Sequence, residues 1–236
     1  MIVVLDFPGR RDQPPVSDLR LEDAGHRVRY LLAEEQPRET SGREYVYRLR
    51  DRLGAEASSV TAVVAYCLAA PIGVEFAAAV DSPRLALINA TLGGPDAVDA
   101  ALAEALDQLG RGDDTTVADL RRQSPEDRND FLVERAHAVL GGTSDDELLS
   151  AVAHDLAGRH IGWISHVMAA SSLTADHPHA WHLVSADHDL ARHWPLPSGR
   201  HPARVADPVA SLTSSPAARD HVLGWLDAAT PLAAGA

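Results

Sequence analysis

The sequence predicts an α/β domain with a mostly parallel central sheet and helices on both faces, and three observations support this prediction. First, short apolar stretches alternate with helical patterns over residues 1–92, which is typical of strand–helix–strand units. Second, residues 60–80 combine a buried-strand pattern, a tight corner and an apolar helix pattern. Third, the chain has 236 residues, 45% hydrophobic and 23% charged, which is enough for one domain with a sizeable core.

Strands and helices are predicted in alternation over the first 92 residues. Gly25 ends the first helix, the capping-box pattern at 41–44 begins the second, and Pro71 lies near the start of the third. This alternation predicts a parallel sheet with helices on its faces and right-handed crossovers. The predicted strands are 2–6, 27–32, 60–64 and 84–89, and the predicted helices are 17–24, 41–53 and 69–80.

Residues 93–177 are predicted to form a helical insertion, because they carry no clear strand pattern. Such an insertion is most simply a lid over the carboxyl ends of the strands, where ligands bind in α/β sheets. Gly158 and Gly162 are expected to bend or break its last helix. The three predicted helices of the insertion are 95–109, 124–140 and 144–168.

Residues 178–229 are predicted to complete the core domain begun by residues 1–92. They contain a strand at 181–186, a weaker strand at 203–206 and a final helix that begins at Ser215-Pro216. The last residues, 230–236, are predicted to form a flexible tail.

The composition excludes several classes of function. The net charge of −13 argues against nucleic acid or an anionic membrane as the main partner. All 21 basic residues are arginine, which excludes Schiff-base chemistry and a P-loop lysine. No apolar run reaches the roughly 18 residues of a membrane span. With no signal-peptide pattern and a single cysteine, which rules out an internal disulfide, a cytoplasmic protein is expected.

The 12 histidines include no pair with the H-E-x-x-H spacing of a zinc helix. His177, His179 and His182 cluster around a proline, and they could form a metal site or belong to a polar, solvated loop. The loop is the favoured interpretation, so no metal or other cofactor is expected.

Residues 65–69, Ala-Tyr-Cys-Leu-Ala, place Cys67 between small residues at the corner after the third strand. This is the pattern of a nucleophile elbow, in which small neighbours let strand and helix cross closely and the nucleophile stands above the sheet. The alternative interpretation is that Cys67 is a small buried apolar side chain, as free cysteines often are.

Four motifs frame nearly the whole chain: Phe-Pro-Gly at 7–9, Ala-Tyr-Cys-Leu-Ala-Ala at 65–70, His-Leu-Val-Ser-Ala-Asp-His-Asp at 182–189 and Ala-Asp-Pro-Val-Ala-Ser-Leu at 206–212. Their order and spacing resemble the α/β-hydrolase superfamily. More narrowly, they resemble the type II-like thioesterases of polyketide and nonribosomal peptide biosynthesis. The helical insertion lies where that family carries its lid.

The resemblance implies a nucleophile, an acid and a histidine. Cys67 stands at the nucleophile position, where serine is usual and cysteine occurs, and a thiolate is a strong nucleophile near neutral pH. The backbone N–H groups of Leu68 and of Arg10 or Arg11 would form the oxyanion hole.

The resemblance places the acid at Asp187 or Asp189, or earlier, after the preceding strand, where Asp96 is the nearest acid. The alternative interpretation is that all three are solvated loop carboxylates. The histidine departs from the family pattern, because Pro208 stands where the base is expected. His201 would then serve as the base, His221 would reach over from the last helix, or the base is absent.

Two functions follow from this resemblance. The first is thioesterase-like acyl transfer or hydrolysis on a thioester of an acyl carrier protein or coenzyme A, with Tyr66, His160 and His166 facing the substrate. The second is a degenerate hydrolase scaffold that binds a hydrophobic intermediate or a partner without a working triad. For the two histidines, a polar helix face is the alternative interpretation.

Overall fold

The computed structural model describes residues 1–7, 15–34, 36–82, 84–110, 115–141, 147–174, 179–194, 196 and 201–228. The chain divides into two compact units. The first unit comprises residues 1–35, 50–92 and 175–236, and the second comprises residues 36–49 and 93–174. The predicted tail at 230–236 lies outside the described residues. No helix in the described ranges is long and apolar enough to cross a membrane.

The first unit is built on a parallel sheet of six strands in the order β2-β1-β3-β4-β5-β6, which confirms the predicted fold class. Five strands are shorter than their predicted ranges, because the ladder hydrogen bonds end before the apolar runs do, whereas β3 keeps five residues but begins and ends two residues later than predicted. The strands are β1 Ile2–Leu5, β2 Val28–Tyr30, β3 Ala62–Tyr66, β4 Leu85–Ile88, β5 Trp181–Val184 and β6 Ala203–Arg204.

Within the described residues there are eight α-helices, of which α2 and α8 pack on the sheet of the first unit. The helices are α1 Gly42–Leu53, α2 Ala70–Ala79, α3 Pro95–Leu109, α4 Val117–Arg122, α5 Pro125–Val139, α6 Glu147–Ser171, α7 Leu190–His193 and α8 Pro216–Asp227.

Helices pack on both faces of the sheet. On one face, Val222 of α8 belongs to the same buried core as Val4 and Val64 of the central strands. On the other face, Gly73 of α2 lies against Ala65 of β3. The alternation of side chains along a strand explains how neighbouring residues 64 and 65 contact different helices.

Residues 17–24 form two 3₁₀ helices, Val16–Leu19 and Leu21–Ala24, rather than one predicted helix. Arg20 separates them with a left-handed φ of 48°, a conformation that interrupts a right-handed helix. Gly25 ends the second 3₁₀ helix at a φ of 85°, as the sequence predicts.

The second unit is helical. Its longest helix, α6, packs against α3 and α5 and runs unbroken through Gly158 and Gly162. Burial of the second half of α6 explains this continuity, since a helical glycine costs only about 1 kcal/mol. The sequence pattern does not predict α4, which begins with a capping box between Thr116 and Asp119.

Candidate active site

The chain turns sharply at Cys67. Tyr66 ends β3 in an extended conformation with a φ of −113°, and Cys67 follows at a φ of 53°. A left-handed backbone at a residue other than glycine costs about 1–2 kcal/mol, and such strain is concentrated at functional sites. The side chain of Cys67 is half-buried, so the sulfur lies at the carboxyl end of a central strand without being sealed into the core.

Small residues allow α2 to start immediately after this corner. A Cβ atom on Gly73 would lie 2.4 Å from the Cβ of Ala65, a separation that no real pair of carbon atoms adopts. Glycine at this position therefore lets α2 cross β3 closely. The sequence pattern indicates the small residues beside Cys67, but it does not indicate this contact one helical turn later.

The segment after β4 provides polar neighbours for Cys67. The backbone N–H of Thr91 donates to the carbonyl oxygen of Cys67 at 3.2 Å. The thiol in turn lies 3.9 Å from the hydroxyl oxygen of Thr91 and donates to it. That hydroxyl donates to the carbonyl oxygen of Asn89 at 3.2 Å. Sulfur is therefore held at a polar edge, where a thiol can exchange its proton.

Asn89 connects the ends of β4 and β5. Its amide nitrogen donates to the Ser185 hydroxyl at 3.1 Å, and its amide oxygen accepts from the Ser185 N–H at 2.9 Å. Asn89 adopts a φ of 46°, which asparagine tolerates better than most residues. Both side chains are buried, so this pair fixes the starting point of the loop that carries the predicted acids.

Asp187 is held by two hydrogen bonds just past β5. Its Oδ1 accepts from the backbone N–H of Val209 at 2.8 Å and from the Ser185 hydroxyl at 2.9 Å. These bonds, led by the one from Val209, lower the pKa of Asp187, so it is ionised near neutral pH. Asp189 instead accepts from the Arg192 N–H at 3.2 Å and caps α7. Which of the two acids would orient a base stays a prediction.

His188, between the two predicted acids, is a candidate that the sequence interpretation did not include. Its Nε2–H donates to the carbonyl oxygen of Ala90 at 3.1 Å, and its ring stacks on His193 with centroids 5.1 Å apart. Burial is the main cause that lowers the pKa of His188. Ala90 directly precedes Thr91, so His188 and Cys67 contact adjacent residues of the same short segment.

The remaining predicted catalytic residues are not brought to Cys67 by any contact described above. His201 is exposed and lies two residues before β6. Pro208 directly precedes a 3₁₀ helix at Val209–Ser214, while the neighbouring Asp207 accepts from the Ser215 hydroxyl at 2.6 Å. Leu68 follows Cys67 in the chain, as an oxyanion-hole donor requires, whereas Arg10 lies outside the described residues. These roles stay predictions.

The three residues predicted to face the substrate are all buried. Tyr66 belongs to the core on the α8 face of the sheet. In the second unit, Nδ1 of His166 is hydrogen-bonded to the Tyr45 hydroxyl at 3.1 Å, and burial lowers the pKa of His166 to about 3. His166 is therefore neutral at physiological pH. The substrate contacts of Tyr66, His160 and His166, and the lid role of 93–177, stay predictions.

The predicted loop histidines are only partly described, because His177 lies outside the described residues. Within the ranges that the structure describes, no group of three or more histidine, cysteine, aspartate or glutamate side chains is arranged to hold a metal ion.

Solved structures of similar fold were found, whereas no family model and no curated protein sequence matches the chain. The enol-lactonase from Burkholderia xenovorans LB400 is 16% identical, with a TM-score of 0.52 over 95% of this chain and 90% of that one. A four-domain nonribosomal peptide synthetase bound to AMP and glycine is 12% identical, with a TM-score of 0.51 over 98% of this chain. This chain spans only 20% of the synthetase. At such identities the likeness shows the fold alone.

Proposed function

We propose that this chain, which has the α/β-hydrolase fold, catalyses thioesterase-like acyl transfer or hydrolysis with Cys67 as its nucleophile. The observation that carries the proposal is the left-handed backbone of Cys67, at a φ of 53°, where β3 meets α2. A corner of this kind presents a nucleophile at the carboxyl edge of a parallel sheet, where ligands bind. The proposed substrate is an acyl thioester of a carrier protein or of coenzyme A in secondary metabolism.

The proposed reaction begins with attack of the Cys67 thiolate on the thioester carbonyl. The backbone N–H groups of Leu68 and Arg10 would stabilise the oxyanion, and collapse of the intermediate would expel the substrate thiol, which takes up a proton. Because a thioester replaces a thioester, this exchange is nearly thermoneutral. An acyl-cysteine reacts more readily with an amine or thiol than with water, so transfer or cyclisation is favoured over hydrolysis. Rapid stoichiometric hydrolysis of a simple acyl thioester would contradict that preference.

Intact-protein mass spectrometry after incubation with an acyl-pantetheine or acyl-CoA thioester tests the proposal. The wild-type chain is expected to gain the acyl mass or to release thiol catalytically. Cys67→Ala is expected to lose both signals completely, because no other thiol exists in the sequence. Cys67→Ser is the matched control, since serine keeps the shape of the side chain and can form only a less reactive ester. A retained adduct in Cys67→Ala, or neither signal in the wild type, overturns the proposal.

A second measurement identifies the base. His188→Gln is expected to slow acylation about a hundredfold, within the usual contribution of a general base, because His188 contacts the segment that also contacts Cys67. His201→Gln is expected to stay within about twofold of the wild type, since that side chain is exposed. Single-turnover rates measured by rapid quench provide the comparison. An equal or larger loss at His201 would return the role of base to that residue.

Pro208 favours a second candidate function, a degenerate hydrolase scaffold that binds a hydrophobic intermediate or a partner without covalent chemistry. Proline cannot transfer a proton, and it stands where the resemblance places the base. The two functions differ in the acidity of Cys67. For an activated nucleophile, the rate of iodoacetamide alkylation should rise with pH around a pKa well below about 8.5, the value of a free thiol. An ordinary or unreactive thiol favours the scaffold.

A further inference from the structure

Asp6 is an acidic residue at the sheet edge that the proposed mechanism does not use. It directly follows β1, whose Leu5 is paired in register with Ala65 of β3. Continuing this register by one residue places Asp6 opposite Tyr66, and adjacent strands lie about 4.8 Å apart. Side-chain alternation directs Asp6 to the same face as Val4, which shares a core cluster with Tyr66. Cys67 is the first residue after β3, so the carboxyl and the thiol both lie just past strand ends at the carboxyl edge of the sheet.

The carboxyl of Asp6 is half-buried and accepts a backbone hydrogen bond. Its Oδ2 accepts from the backbone N–H of Val16 at 2.7 Å. Burial raises the pKa of Asp6 to about 6, and the charge of Asp18 adds to this shift, whereas the Val16 bond opposes it. The raised value puts the ionisation of Asp6 inside the pH range in which enzymes work.

The titratable groups around this carboxyl are acidic in the described part of the chain. The charge of Asp18, in the 3₁₀ helix Val16–Leu19, acts on this carboxyl, and the carboxyl acts on the phenols of Tyr30 in β2 and Tyr66 in β3. Cys67, which follows β3, and Asp187, which follows β5, act on the same Tyr66 phenol. Burial, followed by the charges of Cys67 and Asp6, raises the pKa of Tyr66, so its phenol stays neutral. The electrostatic environment of Tyr66 therefore includes both the thiol and the Asp6 carboxyl.

We propose that Asp6 is a positioning residue that sets the reactivity of the Cys67 thiol through its own charge. An ionised carboxylate close to the thiol disfavours formation of a second negative charge. When Asp6 is protonated, this opposition disappears, and the thiolate forms more readily. The catalytic meaning of this control rests on the proposed function, but the effect on the thiol is measurable without any substrate.

Alkylation of the single cysteine with iodoacetamide between pH 5 and pH 9 tests the inference directly. Asp6→Asn is expected to raise the rate three- to tenfold at pH 7.5, which corresponds to a thiol pKa lower by about 0.5–1 unit. The substitution removes the charge, while the asparagine amide oxygen can still accept from the Val16 N–H. A rate that is unchanged or slower than the wild-type rate across this pH range overturns the inference.

Two matched variants separate charge from structure. Asp6→Glu keeps a carboxylate and is expected to remain within about twofold of the wild type at pH 7.5. Asp18→Asn removes a charge that lies on an exposed residue and is expected to change the rate at pH 7.5 less than twofold, because solvent screens it. An acceleration in Asp18→Asn as large as that in Asp6→Asn would show an effect of general net charge and overturn the assignment to Asp6.

Stability provides an independent check that Asp6→Asn folds. Burial raises the folded-state pKa of Asp6 to about 6. The protonated carboxyl therefore makes its full contribution to the free energy of unfolding below the pKa of the unfolded state, and this contribution is lost as pH rises through 6. Asp6→Asn is therefore expected to melt at a higher temperature than the wild type at pH 8, with the difference vanishing near pH 4. The acyl-adduct experiment tests the proposed function, and the alkylation series tests the effect of Asp6 on the thiol. Either one can fail while the other succeeds.

Discussion

Gly73→Val is expected to destabilise the chain by about 3 kcal/mol, because the space that the new side chain needs is already filled. A Cβ at position 73 would lie 2.4 Å from the Cβ of Ala65 and 3.8 Å from Leu85 Cδ1. Ala65 is on a central strand of the sheet and cannot rotate away, so α2 must move from β3. Such a shift also displaces the corner at Cys67, and the acyl-adduct signal is expected to fall with stability.

Gly224→Val is the matched control for this prediction. Gly224 lies in α8, in the same unit, and a Cβ there meets no atom within 4 Å. Valine is somewhat better than glycine in a helix, so a change of at most about 0.5 kcal/mol is expected. Urea denaturation followed by circular dichroism measures both variants. If Gly73→Val unfolds within 1 kcal/mol of the control, the close crossing of α2 and β3 is wrong.

Asn89→Ala is expected to destabilise the chain by about 3 kcal/mol. Both hydrogen bonds to Ser185 are lost, and the buried Ser185 N–H is left without its acceptor, which costs about 1–3 kcal/mol. Alanine must also adopt the left-handed φ of 46° seen at this position, which adds about 1 kcal/mol. Because Asn89 joins the ends of β4 and β5, the loop with Asp187 and His188 should lose its fixed start.

Asn89→Gly separates the loss of the two hydrogen bonds from the backbone strain at position 89. Glycine accepts a positive φ without strain, so this variant loses the hydrogen bonds alone and is expected to be about 1 kcal/mol more stable than Asn89→Ala. Urea midpoints of the two variants and the wild type give both differences. Equal stability of the alanine and glycine variants would contradict the strain at position 89, and wild-type stability of both would contradict the buried hydrogen bonds.

Local chemistry made much of the fold predictable. Short apolar runs predicted the buried strands. Proline marked the start of a helix at Pro71, and glycine marked the end of one at Gly25. These signals depend on neighbours in the chain, which is why the alternation of strands and helices, and hence the parallel sheet, could be inferred. The split of residues 17–24 could not, because the left-handed φ of Arg20 has no residue-type signature.

The candidate site divides in the same way. The small residues around Cys67 predicted a sharp corner, because close crossing of a strand and a helix restricts residue size locally. Three other features depend on strand order. They are the contacts of that corner with Thr91, the hydrogen bonds of Asn89 between two strand ends, and the contact of His188 with Ala90. Residues 67, 89 and 188 are far apart in the chain but lie at neighbouring strand ends in a sheet ordered β3-β4-β5.

The sequence by itself determined the alternating elements, the parallel sheet and the residue at the corner, since each follows from short-range periodicity and residue size. Only the tertiary structure decided which polar groups meet at the carboxyl edge of that sheet and that Asp6 lies beside Tyr66, because burial and charge at one point depend on strands brought together across the whole chain.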